Sequence, residues 1–242
     1  YLMNRTGDLY LAGKLTEIQR PCHFDFTELR RSPEHLKDYL KKAGIDQVIG
    51  FHTNKPIHTS NYKELRAVLT SSEAHLLIHP TVGPTAPTDI DYFVRTKCYK
   101  KILGSFPEGK TTLSLLPLAM WMAGPREALW HAIIRKNYGC THFIVERSHA
   151  SPEDAQGPCF YNPYAAQELA KKYGDEIGVK IICGNEYVFT EGDNECIPAD
   201  EVPEGKSFFR LSESDFRIFL REEGEIPEAF TFPAVAEELK KA

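Results

Sequence analysis

The sequence lacks the features of a membrane-spanning or secreted protein. Its longest apolar stretch, Leu113–Gly124, is too short to cross a bilayer and is interrupted by Pro117. No basic segment followed by an apolar one indicates a signal peptide. The six cysteines are widely and irregularly spaced without a Cys-x-x-Cys pair, which argues against a disulfide framework and against a zinc site. We therefore expect reduced thiols, no membrane association and a cytoplasmic protein.

Positive charge is also scarce. The chain has 29 Lys and Arg against 34 Asp and Glu, a net charge of −5, which argues against a nucleic-acid partner. Internal repeats and low-complexity tracts are absent as well. What remains is 242 residues with 42% hydrophobic residues, enough to bury a core in one large domain or two small ones.

Short apolar segments alternate with segments of helical periodicity. The predicted strands are Asp46–Phe51, His75–Pro80, Thr111–Pro117 and Thr141–Val145. The predicted helices between them are Pro33–Ala43, Asn61–Leu69, Asp89–Leu103 and Pro125–Tyr138. Because the strands are apolar throughout rather than alternating, this order predicts an α/β fold with a parallel sheet covered by helices on both faces.

The pattern changes after Pro152. A helix at Asn162–Tyr173 and a strand at Val179–Cys183 are followed by a polar loop at Glu191–Lys206. Two more helices are predicted at Ser212–Glu222 and Pro233–Lys241. We therefore predict a main domain over residues 26–152 and a small C-terminal α/β domain over residues 153–242.

Three loops follow predicted strands and carry polar side chains. They are His52–His58, Leu118–Gly124 and Glu146–Pro152. Because ligands of open parallel sheets bind beyond the carboxyl ends of the strands, these loops are the predicted site.

Each loop has a functional and a structural interpretation. Lys55 and His58 precede a helix N-terminus and suit a phosphate, although the loop could simply be polar. Trp121 and Met122 are expected to pack in the core. Arg147 and His149 alternate, so in an extended segment they would share one side and suit a polyphosphate; a surface turn is the alternative. His131 is expected to be a core or rim histidine rather than a ligand.

The segment Met122–Pro152 closely resembles the core signature of the ATP sulfurylases. The segments His79–Gly83, Phe160–Leu169 and Gly224–Glu228 resemble the same family in the same order, so the likeness covers essentially the whole chain. The resemblance implies a Rossmann-like nucleotidyltransferase fold. It is strongest to the sulfurylase part of bifunctional proteins that also contain an adenylylsulfate kinase.

The resemblance also implies how the chain is organised. The N-terminal β-rich domain of the family has no counterpart here, and residues 1–25 resemble the linker that follows it. We therefore expect a piece of a longer polypeptide. The chain contains no G-x-x-x-x-G-K-[ST] loop, so it is not itself the kinase.

The family reaction is an attack of sulfate on the α-phosphorus of MgATP. Pyrophosphate leaves and adenosine 5′-phosphosulfate forms, without a prosthetic group, a resident metal or a covalent enzyme intermediate. The implied partners are ATP, sulfate or adenosine 5′-phosphosulfate, a fused or associated adenylylsulfate kinase domain, and further copies of the chain. The implied catalytic positions are Asn54, Lys55, His58, Asn61 and Trp121. The implied nucleotide- or anion-binding positions are His52, Thr53, Gly124, Arg126, Arg147, His149 and Ala150.

Several of these positions depart from the family pattern. His52 and Asn54 replace the sulfate-contacting Gln and Arg, Asn61 replaces the second histidine of His-x-x-His, and Trp121 replaces an arginine. Glu146 and Ser148 replace Gly and Asp, whereas Arg147 and His149 are retained. Three charged donors are lost at about 1.5–3 kcal/mol each, which is a loss of roughly 10³–10⁶ in rate.

We therefore expect sulfurylase activity to be weak or lost. Two alternatives remain open. One is a non-catalytic scaffold or regulatory domain of a bifunctional kinase protein, and the other is a nucleotidyltransferase that uses another anionic acceptor.

Overall fold

A five-stranded parallel sheet forms the centre of the molecule. The computed structural model describes residues 7–9, 11–14, 16, 19, 22–84, 89–152, 160–223 and 226–241. The strands are β1 (Val48–Phe51), β2 (His75–Ile78), β3 (Thr111–Leu113), β4 (His142–Val145) and β5 (Lys180–Cys183). Their order in the sheet is β3-β2-β1-β4-β5, and every neighbouring pair is parallel.

Five helices connect and cover these strands. They are α1 (Pro33–Lys42), α2 (Thr59–Thr70), α3 (Tyr92–Ile102), α4 (Pro125–Asn137) and α5 (Ala165–Ile177). Local signals start them where expected. The Ser32 hydroxyl accepts a hydrogen bond from the His35 amide at 3.2 Å, and Pro33 occupies the first helical position. None of the helices that the structure describes is long and apolar enough to cross a membrane.

The sheet is buried on both faces. On one face Ile49 and Phe51 of β1 pack in a cluster with Leu65 of α2 and Tyr99 of α3. On the other face Val48 belongs to a cluster that includes residues of α1. Beside that cluster, α4 and α5 cover β4 through small side chains: Ala128, Ala132, Ala166 and Ala170. The predicted parallel sheet with helices on both faces is therefore confirmed.

A small antiparallel sheet follows. It consists of β6 (Tyr187–Thr190), β7 (Cys196–Pro198) and β8 (Phe208–Phe209), in the order β7-β6-β8. Two short helices, α6 (Glu213–Ile218) and α7 (Pro233–Leu239), complete this part, and a π-helical turn at Phe219–Glu223 follows α6. Its core contains Phe189, Phe216 and Phe230 and includes Cys98 of α3, so the small sheet packs against the main layer.

The change from one sheet to the other comes later in the chain than the predicted domain boundary at residue 153. β5 pairs with β4, so the main sheet continues to Cys183. The division into domains stays a prediction. The structure also places β7 inside the predicted polar loop Glu191–Lys206. The sequence did not predict this strand, because three residues are too few to have a detectable period. Much of the predicted linker, residues 1–25, lies outside the described residues.

Candidate functional site

The three predicted loops meet at the carboxyl edge of the main sheet. The Gly124 amide donates to the Ala150 carbonyl at 2.8 Å, which joins the second loop to the third. The side-chain amide of Asn61, in the first turn of α2, donates to Glu146 Oε1 at 3.4 Å. This hydrogen bond joins α2 to the third loop. The second loop, the third loop and the start of α2 are therefore connected at this edge of the sheet.

The backbone of these loops adopts left-handed conformations at non-glycine residues. The φ angles are 55° at Met122, 56° at Ser148 and 52° at Ala150. Non-glycine residues rarely adopt positive φ, and such strain concentrates at functional loops. The residues after β4 therefore form a tight turn rather than an extended segment.

This turn separates Arg147 from His149. The Arg147 guanidinium lies 3.3 Å from Glu186 Oε1, whereas His149 is 4% exposed and points into the interior. The prediction that the two side chains share one side is wrong, because it assumed an extended backbone and the positive φ at Ser148 reverses the chain.

A group of buried rings, here called the histidine cluster, consists of His52, His79, His131 and His149, each at most 4% exposed. His131 Nδ1 lies 3.0 Å from His149 Nε2. The ring centroids of His52 and His131 are 4.2 Å apart. The cluster is therefore closed to bulk solvent.

Arg135 of α4 holds the cluster together. Its Nη2 donates to the His79 carbonyl at 3.0 Å and also contacts His52 Nδ1. Burial lowers the pKa of His52, His79 and His149 well below the ordinary value, and the charge of Arg135 adds to this effect. The rings are therefore neutral at physiological pH.

The cluster does not suit a metal ion, although its geometry suggests one. Nitrogens of His52, His131 and His149 lie within 4.8 Å of one another. However, a guanidinium can only donate, so His52 Nδ1 accepts from Arg135 and the ring proton sits on Nε2, which lies 3.2 Å from Met120 Sδ. A metal would need to displace that proton beside a fixed positive charge. We conclude that this cluster is structural.

Glu127 in the first turn of α4 fixes the second loop. Its carboxylate accepts from the Trp121 amide at 2.9 Å and from the Ala123 amide at 2.8 Å. Burial opposes ionisation, but hydrogen bonds from His131 and these amides lower the pKa of Glu127. The loop held in this way leaves Trp121 51% exposed, so the expectation that this side chain packs in the core is wrong.

Gly124 does not offer its surface to a ligand. A Cβ atom at this position would lie 2.5 Å from the Tyr161 ring, so the space is already filled by that side chain. The close approach to the backbone at Gly124, an implied nucleotide- or anion-binding position, is therefore made by another part of the chain. Arg126, two residues later, is exposed.

An open cavity of about 330 Å³ lies beside the cluster, between the main sheet and the small one. We call it the charged cavity, because its lining includes Lys55, Glu64, Glu146, Arg147, Glu186 and Arg210. Ser60, Asn61, Asn185 and Tyr187 add polar groups to the lining. Its volume is at the lower end of the range for small-molecule sites.

Two carboxyl groups in this cavity, Glu64 and Glu146, form what we call the carboxylate pair. Burial, with the nearby charge of Glu146, raises the pKa of Glu64 well above its usual range. Burial also raises the pKa of Glu146 to about 7, although Lys55 and the hydrogen bond from Asn61 oppose the shift. The pair therefore holds a proton at a higher pH than an ordinary glutamate does.

The two arginines of the cavity already have a carboxylate partner. Arg210 Nε and Nη2 donate to the two oxygens of Glu186, both at 2.7 Å. Arg147 contacts the same carboxylate at 3.3 Å. The hydrogen bonds from Arg210 hold the pKa of Glu186 below its ordinary value.

The structure brings only part of the predicted site together. Lys55, Asn61 and Arg147 line the charged cavity. His58, Arg126 and His149 are not in its lining. His58 and His149 are buried and Arg126 is exposed, so the predicted site is not one cavity.

The other predicted residues make structural contacts. The Asn54 amide donates to Asp89 Oδ2 at 3.1 Å, and Thr53 Oγ1 accepts from the Lys55 amide at 3.0 Å. His58 Nδ1 lies 2.8 Å from Thr231 Oγ1, and the His58 ring stacks on Phe216 with centroids 3.7 Å apart. These contacts tie the first loop to its neighbours.

The sequence reasoning missed Glu64, Glu186 and Arg210. Glu64 lies three residues after Asn61 on α2, so helical periodicity puts the two residues on the same helix face. This spacing is the signal that could have identified Glu64. Glu186 and Arg210 flank strands of the small sheet, and no local pattern in the sequence pointed to them.

Comparisons with known proteins agree on one family. The ATP-sulfurylase family model matches residues 27–242. A sulfate adenylyltransferase of Schizosaccharomyces pombe is 42% identical over 243 residues, which cover all of this chain and 50% of that protein. A sulfate adenylyltransferase of Chaetomium globosum is also 42% identical, and the match covers 42% of its length.

One solved structure is similar over most of the fold. It is described as a hexameric APS kinase from Thiobacillus denitrificans. The TM-score is 0.73 at 30% identity, over 91% of this chain and 41% of that one. The chain therefore spans half or less of the length of these three proteins.

Proposed function

The chain belongs to the ATP-sulfurylase family, and we propose that it is a sulfate adenylyltransferase-type domain that forms adenosine 5′-phosphosulfate weakly or not at all. The proposed substrates are MgATP and sulfate, and Mg²⁺ enters with the nucleotide. We also propose a cytoplasmic location. The reaction would join a sulfate oxygen to the α-phosphorus and release pyrophosphate, so the protein's task is to position two anions and neutralise their charge.

The observation that carries this proposal is the pairing of both arginines in the charged cavity with one carboxylate. Glu186 engages both Arg147 and Arg210, and the charge of Lys55 acts on Glu146. A sulfate or triphosphate entering here would have to displace an existing carboxylate partner. The exchange of one anion for another gains little free energy, so neither substrate would be held tightly.

The substituted positions support the same conclusion. Asn54 and Asn61 carry no charge, and their side-chain amides donate to Asp89 and Glu146. Neither residue therefore offers a positive charge to a bound anion. Trp121 is exposed. These are the positions at which the resemblance implies charged donors, and their loss is the source of the expected reduction of roughly 10³–10⁶ in rate.

The experiment is a pyrophosphate-release assay with MgATP and sulfate. The unmodified chain is compared with a variant that combines Asn54→Arg, Asn61→His, Trp121→Arg and Glu146→Gly. We expect the variant to turn over at least about 100-fold faster, since it restores charged donors and removes one opposing carboxylate. The exposed substitution Glu73→Gln is the control and leaves the rate unchanged.

Two results would contradict the proposal. One is turnover by the unmodified chain at an ordinary enzymatic rate of about 1–10³ s⁻¹. The other is a four-site variant that is folded by circular dichroism but turns over no faster than the unmodified chain. That result would show that the lost charges are not the cause of the weak activity.

A second candidate is a scaffold or regulatory domain that associates with an adenylylsulfate kinase domain. The similarity to a hexameric APS kinase over 91% of this chain favours it, because that chain is more than twice as long. Calorimetric titration with ATP and with adenosine 5′-phosphosulfate separates the two candidates. Binding of neither ligand, together with a homo-oligomer by sedimentation, would support the scaffold.

A further inference from the structure

Arg147 and Arg210 contact Glu186 in unequal ways. Arg210 Nε and Nη2 each donate to one oxygen of Glu186 at 2.7 Å, which is the two-point geometry of a strong, charge-assisted pair. Arg147 Nη1 lies 3.3 Å from Glu186 Oε1, beyond the usual range of about 2.7–2.9 Å for such bonds. Arg210 therefore anchors the carboxylate, and the contact with Arg147 is the weaker of the two.

The weaker contact lies where an anion can reach it. The Arg147 side chain is 33% exposed and lines the charged cavity, and the Glu186 side chain is 19% exposed. Water screens an ion pair of this kind, so the pair contributes little to stability and can be exchanged for another anion. A guanidinium has five N–H donors, so one long contact does not saturate it.

The position of Arg147 is fixed by the backbone and not by the ion pair. The next residue, Ser148, has a φ of 56°, and its amide donates to the Pro163 carbonyl at 2.7 Å. The Ser151 amide closes the turn by donating to the Ser148 carbonyl at 3.0 Å. Release of Glu186 would therefore leave Arg147 at the cavity wall, where it can bind another anion.

We propose that Glu186 is a built-in competitor that occupies Arg147 in place of an anionic ligand, and that Arg210 holds it there. The ligand class is a small oxyanion with two or more negative charges, such as sulfate or pyrophosphate, because a single carboxylate charge is then exchanged for a larger one. This inference rests on the proposed function, since it names the contact that keeps the anions of that reaction weakly bound.

The charge of the cavity favours an anion over a cation. Its lining carries the cations Lys55, Arg147 and Arg210 and the carboxyl groups of Glu64, Glu146 and Glu186. Burial raises the pKa of Glu64 well above its usual range and that of Glu146 to about 7, so these groups carry more positive than negative charge near neutral pH. The hydrogen bonds from Arg210 lower the pKa of Glu186, so this carboxylate stays charged and continues to compete.

The test is isothermal titration calorimetry of the 242-residue chain with inorganic pyrophosphate at pH 8, without nucleotide or metal. We expect Glu186→Gln to bind pyrophosphate at least 10-fold more tightly than the unmodified chain, because Arg147 loses its competitor. A tenfold gain is about 1.4 kcal/mol, close to one hydrogen bond to a charged group. In the double variant Glu186→Gln and Arg147→Ala, the gain should disappear.

Two control variants separate a specific contact from a general change of charge. Glu73→Gln also removes a carboxylate from an ion pair, with Lys110 at 3.0 Å, but its side chain is 99% exposed and outside the cavity lining, so the affinity should stay unchanged. Glu146→Gln removes a carboxyl group elsewhere in the lining and should raise the affinity less than Glu186→Gln does. Glu186→Ala is a second variant at the same position, and thermal unfolding verifies that each variant is folded.

The proposal is overturned if neither Glu186→Gln nor Glu186→Ala binds pyrophosphate more tightly than the unmodified chain, or if the gain persists without Arg147. An equal gain in Glu146→Gln would also overturn it, because the net charge of the cavity would then be the cause.

The pyrophosphate-release assay is separate from this titration. Tighter binding in Glu186→Gln without faster turnover of the four-site variant would contradict the proposed function alone. Unchanged binding in Glu186→Gln with faster turnover of the four-site variant would contradict this inference alone.

Discussion

The histidine cluster and the charged cavity lie at the same edge of the same sheet, yet they differ in how they accommodate ionisable side chains. The cluster is closed, and burial keeps its bases neutral. The cavity is open, and its acids are partly protonated or paired with cations. The comparison shows that burial favours the neutral form of bases and acids alike, and that a carboxylate stays charged where an ion pair compensates for burial.

One turn of the backbone divides the two regions. Arg147 belongs to the cavity and His149 to the cluster, although only one residue separates them. The positive φ of Ser148 makes this division possible. Stability measurements on the two regions therefore test the comparison directly.

The largest effect is expected for Arg135→Ala. Its loss leaves the His79 carbonyl and His52 Nδ1 without their donor and opens a void in a fully buried position. We expect the free energy of unfolding to fall by about 3–5 kcal/mol in urea denaturation followed by circular dichroism. Arg126→Ala, at an exposed position, should change it by less than about 0.5 kcal/mol. A small effect of Arg135→Ala would show that the cluster is not sealed.

A smaller effect is expected for the acid sensitivity of the cluster. The folded-state pKa of His52 is below the unfolded value, so the unfolded chain binds the extra proton as the pH falls through about 6.5. Stability present above that pH is lost below it. His52→Gln should reduce the loss between pH 7 and pH 5 by at most about 2 kcal/mol.

The control for this experiment is His35→Gln, at an exposed position of α1. It should leave the pH dependence of the unfolding free energy unchanged. Equal acid sensitivity of the unmodified chain and His52→Gln would mean that this ring is protonated in the folded protein, and the contrast between the two regions would fail.

The smallest effect has the opposite sign and concerns Glu146→Gln. The pKa of Glu146 is raised to about 7 in the folded chain, above the unfolded value of about 4.3. The folded state therefore keeps a proton that the unfolded state has lost, and stability falls as the pH rises through this window.

Removing the charge should stabilise the chain at pH 8 by roughly 1 kcal/mol, a value reduced by solvent in the open cavity and by the loss of the attraction from Lys55. At pH 4.5 the variant should match the unmodified chain. Thermal unfolding at both pH values is the measurement. A destabilised variant at pH 8 would show that the pair is held by its cations and not strained by burial.

Much of the fold followed from local patterns. The apolar strands and the caps of α1 predicted a covered parallel sheet, and the segment Met122–Pro152 identified the family. The loops at the carboxyl edge were located because each follows a predicted strand of a parallel sheet. The small sheet was missed, because its short strands, including Phe208–Phe209, leave no periodic signal.

The site itself was only partly predictable. Lys55 and Arg147 were found because they lie in loops that follow strands, and Asn61 was found through the family resemblance. Glu186 and Arg210 were not found, because they reach the cavity from the small sheet. They form an ion pair with each other although 24 residues separate them in sequence. Contacts between residues distant in sequence carry no local pattern.

The sequence alone determined which residue types gather at the carboxyl edge of the sheet, since the apolar pattern located the strands and loops that follow parallel strands lie at one edge. Only the tertiary structure decided their charge and direction. A reversed turn at Ser148, the enclosure of His52 and His149, and the approach of Glu186 each depend on packing between distant segments. Burial and pairing shift protonation, and neither is a property of a residue by itself.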